Sequence, residues 1–540
     1  MTKHATVGPD ERIVIIGAGP TGLGAGYRLK ELGHTNFAIY DRHPYVGGLS
    51  HSFTDDKGFT WDIGGHVMFS HYTYYDQCFE KLMGSDFTLN NRESWVRMFD
   101  RWVPYPFQNN VRYLPKEAAF ECIAGLIKAQ GGKGKVPSPA AARNFGEFID
   151  AVFGEGIAKH FMRPYNFKVW AYPPEMMNKQ WIGERVAVID VERALKNVML
   201  GLDDFGWGPN NQFKFPLKGG TGEFYRRFGP VLGLTEDGRE TQRSHIKLSR
   251  TVVSIDVDAR VVTFNTGEQV PYDTLISTMP LDVLCREVLV GNVPDSIRAA
   301  AGRLLHSGGH MVGIGIKRPC PSTKSWMYFP EANCPFYRVT YLSNYSPFMT
   351  PDKDRYYSLL CETSTSDVKP VDASRIVEDT IEGLINAGLI TREETKDIVS
   401  TWHYYADYSY PTPSVERDEV LSVLIPWLEA RGIYSRGRFG MWKYEVANTD
   451  HTLMQGVECV NRLLLGEPET TIGVVYKVTE DGRQAAVHER PAHAGSGEKR
   501  IRPSVAHAEA KPEAVLIEAK VGDLAAGPIG EEEVGIGEGS

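Results

Sequence analysis

The chain has 540 residues, more than a single core organises, so two or three packed domains are expected. With 59 Lys and Arg against 68 Asp and Glu the net charge is −9, which excludes nucleic acid as the main partner and requires an anionic ligand to find a local basic pocket. The 7 cysteines show no metal-ligand spacing, residues 1–12 lack an apolar signal core, and no apolar run is long enough to span a bilayer; reduced thiols, no metal and a cytoplasmic address are expected.

In chain order, residues 12–16 form a short β-branched strand followed by a glycine-rich turn. A helix over 21–32 is stopped by Gly33, and a second strand, 37–40, ends at Asp41, completing a βαβ unit. Residues 113–163 read as helical with Lys, Gly and Pro punctuation near 131–139, and 181–199 read as a further helix. Gly, Pro and Asn crowd 205–221, which predicts a mobile loop. Strands return at 246–256, 261–264, 274–277, 309–317 and 356–363, with a helix-rich stretch at 373–401. Beyond Gly466 the composition turns to Ala, Glu, Gly and Pro with Tyr476 the sole aromatic residue, which predicts a largely disordered tail.

The expected fold is α/β. A discontinuous FAD-binding Rossmann-like domain begins in 1–110, a helical substrate or oligomerisation domain spans 111–205, an antiparallel-sheet substrate domain interleaved with returning nucleotide-domain segments spans 206–465, and the tail spans 466–540.

The strongest chemical signal is Gly17-Ala18-Gly19-Pro20-Thr21-Gly22 between a strand and a helix. In that context Gly17 permits the tight turn, Gly19 lets the backbone approach a pyrophosphate, and Gly22 lets the helix pack on the sheet. Helix N-terminal N–H groups face the phosphates, and Asp41 follows the second strand where an acid binds ribose hydroxyls. The pair Gly47-Gly48 just beyond it resembles the second fingerprint of amine-oxidase-like flavoproteins and favours FAD over NAD.

Later blocks resemble one family. The segment 64–72, beginning Gly64-Gly65-His66, resembles the stretch beneath the flavin in UDP-galactopyranose mutases, and Trp102-Val103-Pro104-Tyr105-Pro106-Phe107-Gln108 their uridine-binding stretch. Phe161-Met162-Arg163-Pro164-Tyr165-Asn166 with Trp170 resembles the fungal and protozoan members, as do Gly183-Glu184-Arg185, Phe336-Tyr337-Arg338 and Gly437-Arg438-Phe439-Gly440. The resemblance spans 11–463 in a constant order of blocks.

It implies a non-redox flavoenzyme that interconverts UDP-galactopyranose and UDP-galactofuranose, with N5 of reduced FAD as nucleophile at the anomeric carbon and UDP as leaving group. It implies catalytic roles for His66, Arg185 and Arg338, the arginines as pyrophosphate clamps. Gly17, Gly19, Gly22, Asp41, Gly48, Gly65, Thr449 and Thr452 are the expected cofactor contacts, the two threonines standing where the fungal members carry other polar residues. Substrate contacts are expected from Tyr105, Phe107, Gln108, Phe161, Tyr165, Asn166 and Trp170 around uracil, from Asn210 on a closing loop, and from Trp326, Tyr328, Tyr345, Tyr410, Tyr444 and Asn448 nearer the phosphates and sugar. The aromatic triplet Phe161, Tyr165 and Trp170 also fits one core-facing helix side. NADPH is the expected reductant, met by Arg92, Ser94 and Arg438, with Glu93 departing from an apolar residue in related sequences. The expected partner is a UDP-sugar, with a homo-oligomer left open.

Two other readings use the same cofactor fold. A flavin oxidase or dehydrogenase of the amine or carotenoid type predicts an apolar substrate tunnel, which the Arg and Tyr constellation opposes. A nucleotide-sugar-binding protein without catalysis predicts a flavin that NADPH does not reduce. Within the mutase reading, another nucleotide sugar remains an alternative substrate.

Overall fold

The computed structural model describes residues 7–8, 10–131, 138–183, 185–204, 211–479 and 482–488. A five-stranded parallel sheet forms its nucleotide half, in the order Ile433–Ser435, Thr274–Ser277, Ile13–Ile16, Phe37–Tyr40, Ile246–Lys247. Every residue of Ile13–Ile16 is buried, as a strand covered on both faces requires. Three strands of the sheet, Ile246–Lys247, Thr274–Ser277 and Ile433–Ser435, come from far along the chain.

The helix Pro20–Glu31 packs against Thr449–Leu465 at backbone contact. A Cβ on Gly24 would meet the Leu453 carbonyl at 2.5 Å, and one on Gly456 would meet the Thr21 carbonyl at 2.0 Å. The hydroxyl of Thr21 donates to the Thr452 carbonyl at 2.7 Å, locking the pair.

A helical layer follows: Lys116–Gln130, Phe145–Ile157, Arg163–Trp170 and Val191–Leu200. Its core gathers Phe107, Phe145, Phe148, Phe153, Phe161, Trp170 and Trp181. The expected helix over 181–199 is shorter than its periodicity suggested. It starts only at Val191, where the Asp190 carboxylate caps the Arg193 N–H at 3.0 Å. Before it the chain turns sharply: Gly183 takes φ 47° and the Arg185 N–H donates to the Ile182 carbonyl at 2.8 Å.

The third part is a seven-stranded sheet in the order Ile398–Pro411, His306–Ile316, Tyr357–Thr365, Arg338–Tyr341, Trp326–Tyr328, Ser94–Met98, Arg101–Pro104. All pairs are antiparallel except Trp326–Tyr328 with Ser94–Met98. Residues 94–104, grouped by sequence with the nucleotide part, therefore belong to this sheet. The run 246–256 is two strands in two sheets: Ser249, at φ 55°, separates Ile246–Lys247 from Val252–Asp256, which pairs with Val261–Phe264.

Three other expectations shift. In the glycine-rich stretch, residues 205–210 lie outside the described residues, but Gln212–Pro216 is a strand paired with Phe87–Asn91, because Phe213 and Phe215 alternate into the core. The stretch 373–401 holds one α-helix, Ile376–Asn386, and a 3-10 helix, Glu393–Asp397, and passes into the edge strand Ile398–Pro411, whose β-branched and aromatic residues favour extension. Within the stretch expected as a tail, Val474–Val478 and Gln484–His488 form an antiparallel pair, with Gly482 at φ 80° between them, and residues 489–540 lie outside the described residues. No helix of the described residues is long and apolar enough to cross a membrane.

Candidate active site

The cradle for a dinucleotide is built from backbone contacts that only glycine permits. Gly17 stands at φ 102°, and a Cβ there would fall 2.0 Å from the Thr278 hydroxyl. A Cβ on Gly22 would fall 1.8 Å from the Gly17 carbonyl. The two glycine-rich loops touch, since a Cβ on Gly48 would sit 3.2 Å from the Gly19 Cα, and the Gly47 N–H donates to the Ala18 carbonyl at 2.8 Å. Asp41 closes this cradle: its carboxylate accepts from the Ala18 N–H at 2.6 Å and the His43 N–H at 2.8 Å, while burial raises its pKa. These features fit FAD in the manner of a Rossmann unit.

Sheet register assembles the charged centre. Arg338 lies opposite Tyr328 on one side and opposite Glu362 on the other. It forks onto the Glu362 carboxylate through Nε at 2.6 Å and Nη2 at 2.8 Å. Glu362 also accepts from the Gly65 N–H at 3.1 Å and the Tyr337 hydroxyl at 3.0 Å, and the Tyr337 oxygen in turn lies 3.2 Å from the Tyr410 hydroxyl, which is left to donate to it. Burial works to raise the Glu362 pKa, but the Arg338 charge outweighs it and holds the carboxylate ionised.

Arg438 and Arg185 lie beside this pair without a carboxylate of their own among the described residues. Arg438 stands 4.9 Å from the Tyr410 ring centre and 5.5 Å from that of Tyr444, and donates only to the Ser409 and Ala447 carbonyls. Burial, with Arg185 nearby, lowers its pKa. Arg185 lies 4.6 Å from the same Tyr444 ring centre and donates to the Tyr444 and Glu445 carbonyls and to Asn448 Oδ1 at 2.8, 2.9 and 3.2 Å. Two cations sharing one ring with no carboxylate between them make a site for an anion.

Aromatic rings line the adjoining wall. Phe161 stacks on Tyr165 at 5.1 Å, and Tyr328 sits between Tyr165 and Tyr105 at 5.5 and 5.4 Å. Phe107 and Trp170 are fully buried, so they back this wall instead of lining it: Phe107 stacks behind Phe161 at 4.5 Å, and Trp170 supports Tyr444 and Tyr410 at 4.7 and 5.6 Å. Gln108 donates to the Ala187 carbonyl at 2.8 Å and Asn166 to the Met162 carbonyl at 2.7 Å, which fixes each amide and leaves its oxygen for recognition. Tyr345 is buried against Phe213, Phe215 and Trp326 beneath the sheet, and the Trp326 indole donates to the Tyr328 hydroxyl at 2.6 Å.

The loop with Gly65 and His66 joins the cradle to the cations. A Cβ on Gly65 would meet the Thr340 hydroxyl at 2.7 Å and Glu362 at 3.3 Å. The His66 Nδ1 is buried with no hydrogen-bond partner, and burial, then the charge of Arg438, pushes its pKa down to about 4, so it is neutral at physiological pH. Asp450 anchors the same loop by accepting from the His71 N–H at 3.1 Å and pairing with its Nδ1 at 2.7 Å.

Thr449 and Thr452, expected at the flavin, both lie at the start of the helix Thr449–Leu465. The Thr452 hydroxyl donates to the Asn448 and Thr449 carbonyls of its own helix, and Thr449 is that helix's first residue. Arg92 lies 5.4 Å from the Tyr105 ring centre, and Ser94 is buried in the strand beside Trp326, whereas Arg438 joins Arg185. Asn210 lies outside the described residues. Glu362, Tyr337 and Thr340 escaped sequence reasoning; the one available signal was a lone acid in the otherwise uncharged strand Tyr357–Thr365.

The model of the flavin-containing amine oxidoreductase family matches residues 20–426. A solved structure of reduced UDP-galactopyranose mutase is 44% identical and superposes with a TM-score of 0.80, covering 86% of this chain and 96% of that one. The chain belongs to the flavin-containing amine oxidoreductases, in their UDP-galactopyranose mutase branch. Membership makes it a flavoprotein and accounts for the glycine cradle. Putrescine oxidase shares the fold at TM-score 0.56 with 14% identity, over 85% of this chain and 99% of its own. A probable zeta-carotene desaturase of Synechococcus elongatus is 44% identical over 61 residues, 11% of this chain and only 12% of the desaturase's length.

Proposed function

We propose that the protein interconverts UDP-galactopyranose and UDP-galactofuranose. The observation that carries this reading is the pair of buried-side guanidiniums, Arg185 and Arg438, that share Tyr444 without a carboxylate, next to an Arg338 whose Nη1 lies outside its fork to Glu362. A diphosphate supplies the negative charge these groups call for, and planar forks bind its oxygens in pairs.

FAD would sit in the cradle of Gly17, Gly19, Gly22, Gly48 and Asp41, with Gly65 and His66 toward its ring. Reduced flavin supplies an electron-rich ring nitrogen as nucleophile toward an anomeric carbon. The chain's own residues do the rest. Arg185, Arg438 and Arg338 hold the diphosphate and stabilise the charge that grows on UDP as it departs. Burial raises the pKa of Tyr410 and Tyr328, which keeps both hydroxyls protonated as donors to phosphate oxygens. Neutral His66 offers its buried Nδ1 to a polar group at the sugar end. Phe161, Tyr165 and Tyr105 receive the uracil ring, and the fixed amides of Gln108 and Asn166 read its edge.

NADPH is the reductant in this reading, which carries with it the eukaryotic type of the enzyme. It is supported by Arg92 over Tyr105 at the margin of the cationic cluster. The test is to incubate dithionite-reduced protein with UDP-galactofuranose and follow UDP-galactopyranose by chromatography. Conversion by the reduced protein alone is the expected result; turnover confined to the oxidised protein, with oxygen consumed, refutes the reading in favour of an oxidase.

A further inference from the structure

The hairpin that follows the last long helix touches the turn that presents Arg185. The Gln484 side chain accepts from the Gly183 N–H at 2.6 Å and donates to the Lys179 carbonyl at 3.0 Å, so one amide grips both ends of the segment 179–183. Tyr476 lies against the same turn: a Cβ on Gly183 would fall 2.9 Å from its ring, and Gly183 holds φ 47° there. Two residues on, Arg185 completes the turn by donating its N–H to the Ile182 carbonyl at 2.8 Å.

The hairpin's first strand is tied to the other half of the site. The Lys443 ammonium donates to the Ile472 and Val474 carbonyls, both at 2.8 Å. Lys443 immediately precedes Tyr444, whose ring lies under the Arg185 guanidinium and whose carbonyl accepts from it. Thr471, just before the hairpin, is held by Glu458 at 2.8 Å and by the Tyr72 hydroxyl at 2.8 Å, and Val478 packs on the helical core. The hairpin thus grips both chain segments that meet in the Arg185–Tyr444 contact.

We propose that the hairpin 474–488 is a clamp on the diphosphate site, with Gln484 as the positioning residue that fixes the Arg185 turn. The proposal rests on the reading of Arg185 as a diphosphate ligand. A long cationic side chain on a free turn loses conformational entropy whenever it closes on a ligand. A turn already fixed at both ends loses less, so the clamp strengthens substrate binding more than it alters the chemical step.

The test compares the full-length wild type with Gln484→Ala and Gln484→Glu. The glutamate keeps the acceptor for the Gly183 N–H and removes the donor to Lys179. Loss of both bonds should raise KM for UDP-galactofuranose about tenfold, with kcat falling by less and FAD content the same. Gln484→Glu should fall between the two. Trypsin cleavage after Arg185, followed without any substrate, should quicken about tenfold in Gln484→Ala. A KM and a cleavage rate both within about twofold of wild type overturn the proposal, as does a loss of kcat and FAD together, which marks a purely structural role. If the reduced wild type converts no UDP-galactofuranose, the proposed function fails; the cleavage rates then decide the clamp by themselves.

Discussion

Arg338 and Glu362 define the sharpest energetic expectation. The two form a bidentate pair at 2.6 and 2.8 Å, and the Glu362 side chain is 2% exposed. Arg338→Met leaves that carboxylate in the sheet with only the Gly65 N–H and the Tyr337 hydroxyl as donors. Breaking one side of such a pair costs about 3–5 kcal/mol. Glu362→Gln strands the guanidinium instead and should cost a comparable amount. Replacing both at once, Arg338→Met with Glu362→Gln, removes both charges, so the loss should fall well short of the sum and leave a coupling of roughly 2–4 kcal/mol. The assay is urea unfolding followed by far-UV circular dichroism at equal FAD loading, comparing variants whose denaturant slopes agree. Single effects that add within about 0.5 kcal/mol in the double variant refute the pairing as the centre of the site.

Other expectations follow from the same contacts. Arg185→Ala removes a charge-assisted fork, so kcat/KM should fall about 10- to 100-fold while bound FAD, read from its visible absorbance, stays stoichiometric; a fall under about threefold contradicts the assigned role. Gly22→Ala forces a Cβ to 1.8 Å from the Gly17 carbonyl, and the purified protein should lack flavin absorbance; a fully loaded variant contradicts the cradle. His66 has a folded pKa of about 4 against 6.5 unfolded, so its contribution is fully present above pH 6.5 and is lost as pH falls toward 4. Relative to His66→Gln, the wild type should lose about 2 kcal/mol of stability across that window, after allowance for partial exposure, and parallel pH profiles of the two proteins contradict the burial of Nδ1.

The nucleotide cradle was legible because its parts are local: strand, glycines, helix and Asp41 follow one another within one βαβ unit. The sheet sites were legible only in part. Arg338 stood out by resemblance, but its partner Glu362 depends on the register of two strands, which no local pattern encodes. Arg438 was grouped with Arg92 and Ser94, yet packing carries it to Tyr410 and Tyr444. The false helix at 181–190 has a specific cause: Ile182, Val186 and Ile189 recur at helical spacing and join the helical core, but positive φ at Gly183 and the Asp190 cap break the period. Composition averaged to Ser540 hid a short strand pair whose Val474, Val475, Tyr476 and Val478 favour extension.

Everything proposed for the site depends on a diphosphate being held by guanidiniums around Tyr410 and Tyr444. The direct measurement is calorimetric titration of the protein with UDP, UMP and uridine at fixed salt. Binding should weaken stepwise as phosphates are removed, with uridine at least about a hundredfold weaker than UDP, and Arg185→Ala should narrow that gap. Uridine binding as tightly as UDP, with no effect of Arg185→Ala, would show that the cationic cluster serves some other purpose.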